Sequence, residues 1–86
     1  LGDVYKRQLI VNKDISDQIS SGENRIFGVM IESHLEEGNQ KIGPLEEIKY
    51  GQSITDACVG WNDTEIMINQ LSTAIENKRK KLHKSA

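Results

Sequence analysis

An apolar run that ends directly in an acidic residue is the feature that most constrains the fold of this chain. Residues 26–31 are apolar apart from Gly28, so an extended segment here would be apolar on both of its alternating faces, and Glu32 follows without a spacer. Strands of this kind are typical of parallel sheets covered by helices. The sequence therefore predicts an α/β fold with Glu32 at the carboxyl end of a strand.

A helical pattern precedes this strand. Residues 9–21 place Val11, Ile15 and Ile19 four positions apart among polar residues, which predicts an amphipathic helix with one buried stripe. Gly22 is the expected stop, because glycine adopts the left-handed conformation that commonly ends helices. A short connection then leads into the apolar run.

A second helix is predicted near the end of the chain. Residues 62–65 (NDTE) carry an N-cap residue followed three positions later by Glu, and a helical apolar pattern follows. Its apolar positions are Ile68, Leu71 and Ile75, supported by Met67 and Ala74. Between the two helices, residues 35–51 predict a long polar loop with one short helical turn at 45–48.

Charge is distributed unevenly along the chain. The formal net charge is −2, made up of −6 over residues 1–75 and +4 over residues 76–86. Residues 78–81 (KRKK) have two interpretations: a nucleic-acid-binding or localisation patch, or cations in the last turn of a helix, where they interact favourably with the helix dipole. The helix-end interpretation is favoured, because no aromatic residues are interleaved with these cations to stack on bases. No nucleic-acid partner is therefore predicted.

Length and composition narrow the class of protein. At 86 residues, the chain holds at most one small domain, and its single cysteine cannot form an internal disulfide. The longest apolar run is far shorter than the roughly 20 residues that span a bilayer, and no secretory signal is apparent. The sequence predicts a cytoplasmic protein with no membrane partner.

Two carboxylates are candidates for a site. Residues 53–55 predict a second short strand, and Asp56 follows it as Glu32 follows the first. If the strands are parallel neighbours, both carboxylates lie at the edge where α/β folds build active sites. Such a pair binds divalent cations or acts as general acid and base, but acids at strand ends are also often merely solvated. The spacing leaves these alternatives open.

His34 and Cys58 each follow one of these carboxylates by two residues. Residues i and i+2 share one face of a strand, so His34 joins Glu32 only if the first strand continues that far. Otherwise His34 is a hydrogen-bonded loop residue. Cys58 is interpreted as a small buried apolar side chain, which is the commoner role of a lone cysteine.

Three blocks of the sequence carry a family resemblance. Residues 28–35 (GVMIESHL), 37–40 (EGNQ) and 50–61 (YGQSITDACVGW) resemble the carboxyl-terminal end of the class I 3-deoxy-D-arabino-heptulosonate 7-phosphate (DAHP) synthases. The resemblance covers roughly residues 8–80 and diverges in the loop between Lys41 and Lys49. It implies that residues 8–86 are the last quarter of a (β/α)8 TIM barrel, incomplete in this chain, and leaves residues 1–7 unassigned or artefactual.

The resemblance also implies an activity. These enzymes are transferases that condense phosphoenolpyruvate with D-erythrose 4-phosphate, giving DAHP and phosphate, in the first step of the shikimate pathway to aromatic amino acids. They need a divalent metal, which the sequence does not narrow among Mn, Fe, Co and Zn. Two of the family's metal ligands, a Glu and an Asp, match Glu32 and Asp56.

The other family ligands, a Cys and a His, lie upstream of the matching segment, as do the Lys and Arg residues that hold the substrates. The resemblance therefore assigns no catalytic and no substrate-binding residue to this chain, and it implies a homo-oligomeric parent enzyme. The 86 residues alone are expected to be inactive and poorly folded. The alternative is a non-catalytic α/β fragment whose apolar helix faces bind a partner.

Overall fold

Two helices joined by a long irregular segment make up the fold. A computed structural model describes residues 5–85, in which α1 spans Lys6–Ser20, a 3-10 turn spans Leu45–Glu47 and α2 spans Trp61–Ser85. Both predicted helices and the short helical turn are confirmed. α2 has 25 residues and α1 has 15, and α1 packs along the longer helix.

The end of α1 is fixed by the glycine that the sequence singles out. Gly22 has a φ of 102°, which a residue with a Cβ rarely adopts. The Gly22 N–H donates to the Ile19 carbonyl at 2.9 Å, and the Glu23 N–H donates to the Gln18 carbonyl at 3.0 Å. This pair of bonds is the Schellman arrangement, which satisfies carbonyls that the helix itself leaves without donors.

Lysines of α2 bind the backbone just beyond α1. Lys78 Nζ donates to the Glu23 carbonyl at 3.0 Å, and Lys81 Nζ donates to the Ser21 carbonyl at 3.4 Å. The Arg25 guanidinium hydrogen bonds to the Glu23 carboxylate and lowers the pKa of Glu23 to about 2, so this residue stays ionised in weak acid. Two of the four cations at residues 78–81 therefore bind the backbone that follows α1. The sequence predicts that these cations lie in the last turn of their own helix, but α2 continues beyond them to Ser85.

α2 begins at Trp61, two residues earlier than a helix with Asn62 as its N-cap would begin. The Thr64 N–H donates to the Gly60 carbonyl at 3.0 Å, and the Thr64 hydroxyl donates to the same oxygen at 2.8 Å. Thr64 is buried, so its hydroxyl is satisfied by the preceding turn instead of by solvent.

The buried stripes of both helices match the predicted ones only in part, since Ile19, Met67 and Ala74 are buried as predicted and other predicted positions are not. In α1, Asn12 and Ser16 are buried with Ile19, while Val11 is 53% exposed. In α2 the buried positions are Thr64, Met67 and Ala74, and the predicted Ile68 and Ile75 are largely exposed. Each helix therefore turns a partly polar stripe toward the other. Of the polar residues in these stripes, Asn12 hydrogen bonds to the other helix, Thr64 bonds to the Gly60 carbonyl, and the buried Ser16 hydroxyl has no hydrogen-bond partner among the described residues.

Asn12 is the polar centre of this helix interface. Its Nδ2 donates to Gln70 Oε1 at 2.8 Å and to the Met67 carbonyl at 3.2 Å, and the residue is only 3% exposed. Asn12→Ala is expected to lower the free energy of unfolding by about 1–3 kcal/mol, since it removes the donor to a partly buried amide oxygen. Urea unfolding of a full-length protein that carries this segment, followed by circular dichroism, measures this change. Asn69→Ala, at an exposed position of α2, is the control, and an equal loss in both variants would contradict the assignment.

The predicted strands are not formed. Residues 26–31 and 53–55 contain no strand, and the described part of the chain has only isolated bridges between segments. Phe27 is 96% exposed and Met30 is 90% exposed. A parallel strand exists only where neighbours complete its hydrogen bonds, and residues 5–85 provide no second strand beside the apolar run. Within the described residues, no helix is both long and apolar enough to cross a membrane.

Candidate metal centre

The segments that contain the two candidate ligands are joined near Glu32. The Val59 N–H donates to the Glu32 carbonyl at 2.9 Å, and the His34 N–H donates to the Val59 carbonyl at 3.0 Å, which forms a parallel bridge. Val59 is fully buried and therefore anchors this junction. The partner of the Glu32 segment is thus Val59 and not the predicted strand at residues 53–55.

A second junction lies six residues further along. Gly38 and Cys58 exchange both backbone hydrogen bonds, at 2.8 and 3.1 Å. The next residue, Asn39, forms a parallel bridge with Ser53, and the Gln40 N–H donates to the Ser53 carbonyl at 2.8 Å. Of the three blocks that carry the family resemblance, residues 28–35 and residues 37–40 are therefore each hydrogen bonded to residues 50–61.

The Gln40 side chain closes the intervening loop. Its Oε1 accepts the Lys49 N–H at 2.9 Å, and its Nε2 donates to the carbonyls of Lys49 at 2.8 Å and Gln52 at 3.2 Å. The Gln40 side-chain amide therefore binds backbone groups as a neighbouring strand would. It links the residue that precedes the loop at 41–48 to the residues that follow the loop.

Two further side-chain amides hold the backbone close to Asp56. Gln52 Nε2 donates to the Glu37 carbonyl at 2.7 Å, and Asn39 Nδ2 donates to the Thr55 carbonyl at 2.8 Å. The sequence analysis assigns no role to these amides. Nothing in the local sequence distinguishes these amides from the polar side chains of a solvated loop.

Gln8 of α1 contacts the Glu32 backbone. Gln8 Oε1 accepts the Glu32 N–H at 2.8 Å, and Gln8 Nε2 donates to the Glu32 carbonyl at 3.0 Å. That carbonyl also accepts the Val59 N–H, so both of its lone pairs are used. Glu32 is therefore fixed through its main chain by two partners, while the residue itself is exposed.

The two carboxylates fit a divalent cation by their chemistry. Glu32 and Asp56 are both exposed, and among residues 5–85 no group forms a hydrogen bond or ion pair with either carboxylate. Asp56 lies in a bend between the bridges at Ser53 and Val59, so its predicted place at the end of a strand is wrong. Anionic oxygens without partners are available to the divalent ions that prefer such ligands.

His34 and Cys58 have local partners. His34 Nδ1 accepts the Leu35 N–H at 2.9 Å, so that nitrogen is engaged with the neighbouring residue. Cys58 is half-buried, and its Sγ donates to the Asp56 carbonyl at 3.4 Å. In the part of the chain that the structure describes, no three His, Cys, Asp or Glu side chains are grouped to hold a metal ion.

Gly51 constrains the segment that precedes Asp56. Its φ is 80°, and a Cβ built there would lie 3.0 Å from Leu35 Cβ. Gly51→Ala is therefore expected to lower the free energy of unfolding by about 1–3 kcal/mol through backbone strain, with crowding in addition. Gly43→Ala is the matched control, because nothing lies within 4 Å of a Cβ at that position. Urea unfolding of a full-length protein that carries each variant segment checks this prediction, and equal stability of the two variants would overturn it.

Comparison with known proteins places these features in a family. Residues 2–69 match the family model described as the DAHP synthetase I family. The Phe-sensitive phospho-2-dehydro-3-deoxyheptonate aldolase of Escherichia coli K12 is 49% identical over 75 residues, covering 87% of this chain and 21% of the relative. The phenylalanine-inhibited aldolase of Saccharomyces cerevisiae is 48% identical over 83 residues, covering 93% of this chain and 22% of the relative.

A solved structure agrees with the sequence relatives. The phospho-2-dehydro-3-deoxyheptonate aldolase of Francisella tularensis superimposes with a TM-score of 0.80 at 43% identity, covering 86% of this chain and 21% of that chain. The chain thus spans about a fifth of the length of the proteins it matches. These matches confirm the resemblance seen in the sequence. The chain belongs to the DAHP synthetase I family.

Proposed function

We propose that this chain is the last quarter of a (β/α)8 barrel enzyme that condenses phosphoenolpyruvate with D-erythrose 4-phosphate, giving DAHP and phosphate. The family match over residues 2–69 is the observation that carries the proposal. In this proposal, residues 8–86 belong to the barrel domain. The remaining strands, helices and substrate-binding residues belong to the rest of the enzyme, because the matched segment is 87% of this chain but only 21% of the E. coli relative.

The exposed apolar surface supports a place inside a larger fold. Phe27 and Met30 are almost fully exposed, on a segment whose backbone has no strand partner. An apolar groove of about 420 Å³ lies beside this segment, between the ends of the two helices. Its apolar lining comes from Ile19, Ile26, Phe27, Val29, Leu71, Ile75 and Leu82. In a complete barrel, neighbouring strands and helices would cover such surfaces.

Glu32 and Asp56 are proposed as two ligands of a divalent cation. Both residues are exposed, and their carboxylates have no partner among the described residues. The Glu32 carbonyl accepts the N–H of the buried Val59, and Asn39 binds the carbonyl of Thr55, the residue before Asp56. The cation would act as a Lewis acid that polarises the aldehyde of erythrose 4-phosphate or activates water. The family resemblance places the remaining ligands, a Cys and a His, in the part of the enzyme that precedes this segment.

This assignment limits what the present residues contribute to the reaction. Glu32 and Asp56 supply negative charge and fix the position of the cation. His34 and Cys58 are not assigned as ligands, because the family resemblance places the ligand His and the ligand Cys upstream of this segment. The carbon–carbon bond would form between substrates held by residues of the preceding barrel strands.

A chimeric enzyme tests the proposed function. Residues 8–80 of this chain replace the matching segment of the E. coli Phe-sensitive aldolase, which is 49% identical to this chain. We expect this chimera to form DAHP and phosphate from phosphoenolpyruvate and erythrose 4-phosphate in the presence of Mn²⁺. The unaltered E. coli enzyme is the control. A chimera that folds and binds Mn²⁺ but forms no DAHP would contradict the proposal.

A further inference from the structure

Glu32 has an unusually complete set of backbone partners for an exposed residue. Its N–H donates to Gln8 Oε1, and its carbonyl accepts both Gln8 Nε2 and the Val59 N–H, at distances of 2.8, 3.0 and 2.9 Å. Two partners in different parts of the chain therefore determine where the Glu32 Cα–Cβ bond points. The carboxylate itself has no partner among residues 5–85.

Gln8 is suited to this contact by both position and chemistry. It lies in the first turn of α1 and is partly buried, so its side chain is restrained by the helix. A primary amide offers one acceptor and two donors, and it can therefore match the N–H and C=O of a single residue as a neighbouring strand would. A carboxylate of the same length cannot donate, and an asparagine is one methylene shorter.

We propose that Gln8 is a positioning residue for cation binding, acting by holding the Glu32 backbone so that the carboxylate is presented to the metal in one orientation. This inference rests on the proposed function, in which Glu32 is a ligand. Partners that orient a ligand typically change metal affinity by about 10–100-fold when they are removed. A residue that only stabilises the fold would change the unfolding midpoint without this specific loss of affinity.

The test uses the chimera described above, with Mn²⁺ as the probe. Gln8→Met keeps the side-chain length and a comparable helix propensity but removes both hydrogen bonds to Glu32. Gln18→Met is the matched control, because Gln18 lies on the same helix and is exposed, and its side chain bonds to Asp14 of that helix. The dissociation constant of Mn²⁺ and the urea midpoint of the metal-free protein are measured for each variant.

We expect Gln8→Met to weaken Mn²⁺ binding by about 10–100-fold, while its metal-free urea midpoint stays close to that of Gln18→Met. Unchanged Mn²⁺ affinity in Gln8→Met, or a loss of affinity that accompanies unfolding of the metal-free protein, would overturn the inference. Glu32→Gln separates this result from the proposed function. If Glu32→Gln binds Mn²⁺ as tightly as the parent chimera, the ligand assignment itself is wrong, whereas a loss in Glu32→Gln alone removes only the role of Gln8.

Discussion

Replacing either proposed ligand is expected to remove metal and activity together. In the chimera, Glu32→Gln or Asp56→Asn exchanges an anionic oxygen for a neutral amide with almost the same volume, so folding should be preserved. The loss of ligand charge directly weakens the site, and Mn²⁺ affinity should fall by more than the roughly 100-fold that bounds the effect of an orienting partner. Isothermal titration with Mn²⁺ and the rate of DAHP formation measure the two effects.

The neighbouring loop glutamates provide the controls. Glu36 is exposed and lies 3.5 Å from Lys49 in an ion pair of the kind that contributes little, and Glu37 is exposed as well. Glu36→Gln and Glu37→Gln should leave Mn²⁺ affinity and turnover nearly unchanged. If the loop variants prove as costly as the ligand variants, or if Glu32→Gln or Asp56→Asn retains parental affinity, the assignment of these ligands fails.

Met67→Ala is expected to cause the largest loss of stability in this segment. Met67 is 2% exposed and lines the groove between α1 and the apolar run, together with Val11, Ile15 and Val29. Truncation removes buried apolar atoms and leaves a cavity, which typically costs about 2–5 kcal/mol for a methionine. Urea unfolding of the chimera, followed by circular dichroism, should show a midpoint shifted to lower urea by a corresponding amount.

Ile68→Ala is the matched control for this variant. Ile68 follows Met67 directly in α2, but its side chain is 51% exposed on a different face of the helix. Because alanine also has the higher helix propensity, Ile68→Ala should lose less than half as much stability as Met67→Ala. A larger loss at Ile68 would mean that α2 turns the sequence-predicted stripe, and not the observed one, toward the core.

The sequence predicts the helices well and their contacts poorly. Residues 9–21 contain Val11, Ile15 and Ile19 at helical spacing, and the helix ends at Gly22 as expected. Only Ile19 of these three is buried against α2, while Asn12 and Ser16 occupy the rest of the interface. Periodicity shows which residues are apolar, but it does not show which polar residues are buried. Asn12 is buried with Gln70 as its hydrogen-bond partner, and tertiary structure brings these two residues together.

The strands show a different kind of failure. Residues 26–31 have the composition of a strand buried on both faces, but a strand forms only with neighbours that complete its hydrogen bonds. Within residues 5–85, the apolar run has no second strand beside it, and pairing begins only at Ser33, which bridges to Val59. The composition of residues 26–31 therefore indicates burial on both faces, but it does not determine the conformation of the segment in this chain.

The sequence analysis identifies the charged residues of the candidate site but not the side-chain amides around it. Glu32 and Asp56 follow apolar or strand-like segments, which is a recognisable pattern. Gln8 and Asn39 act through backbone atoms of residues 24 and 16 positions away. No local pattern predicts such distant partners, because an amide side chain in a helix or loop reads as an ordinary solvated group.

The Gln40 clamp has a consequence for how this segment tolerates sequence change. Because the Gln40 amide binds the backbone of Lys49 and Gln52, the loop at residues 41–48 begins and ends at the same point in space. A loop closed in this way can gain, lose or exchange residues at a small entropic cost, without shifting the chain on either side. Lengthening or shortening it should leave Glu32 and Asp56 in place, which accounts for the divergence of this loop from the family pattern between two blocks that follow it closely.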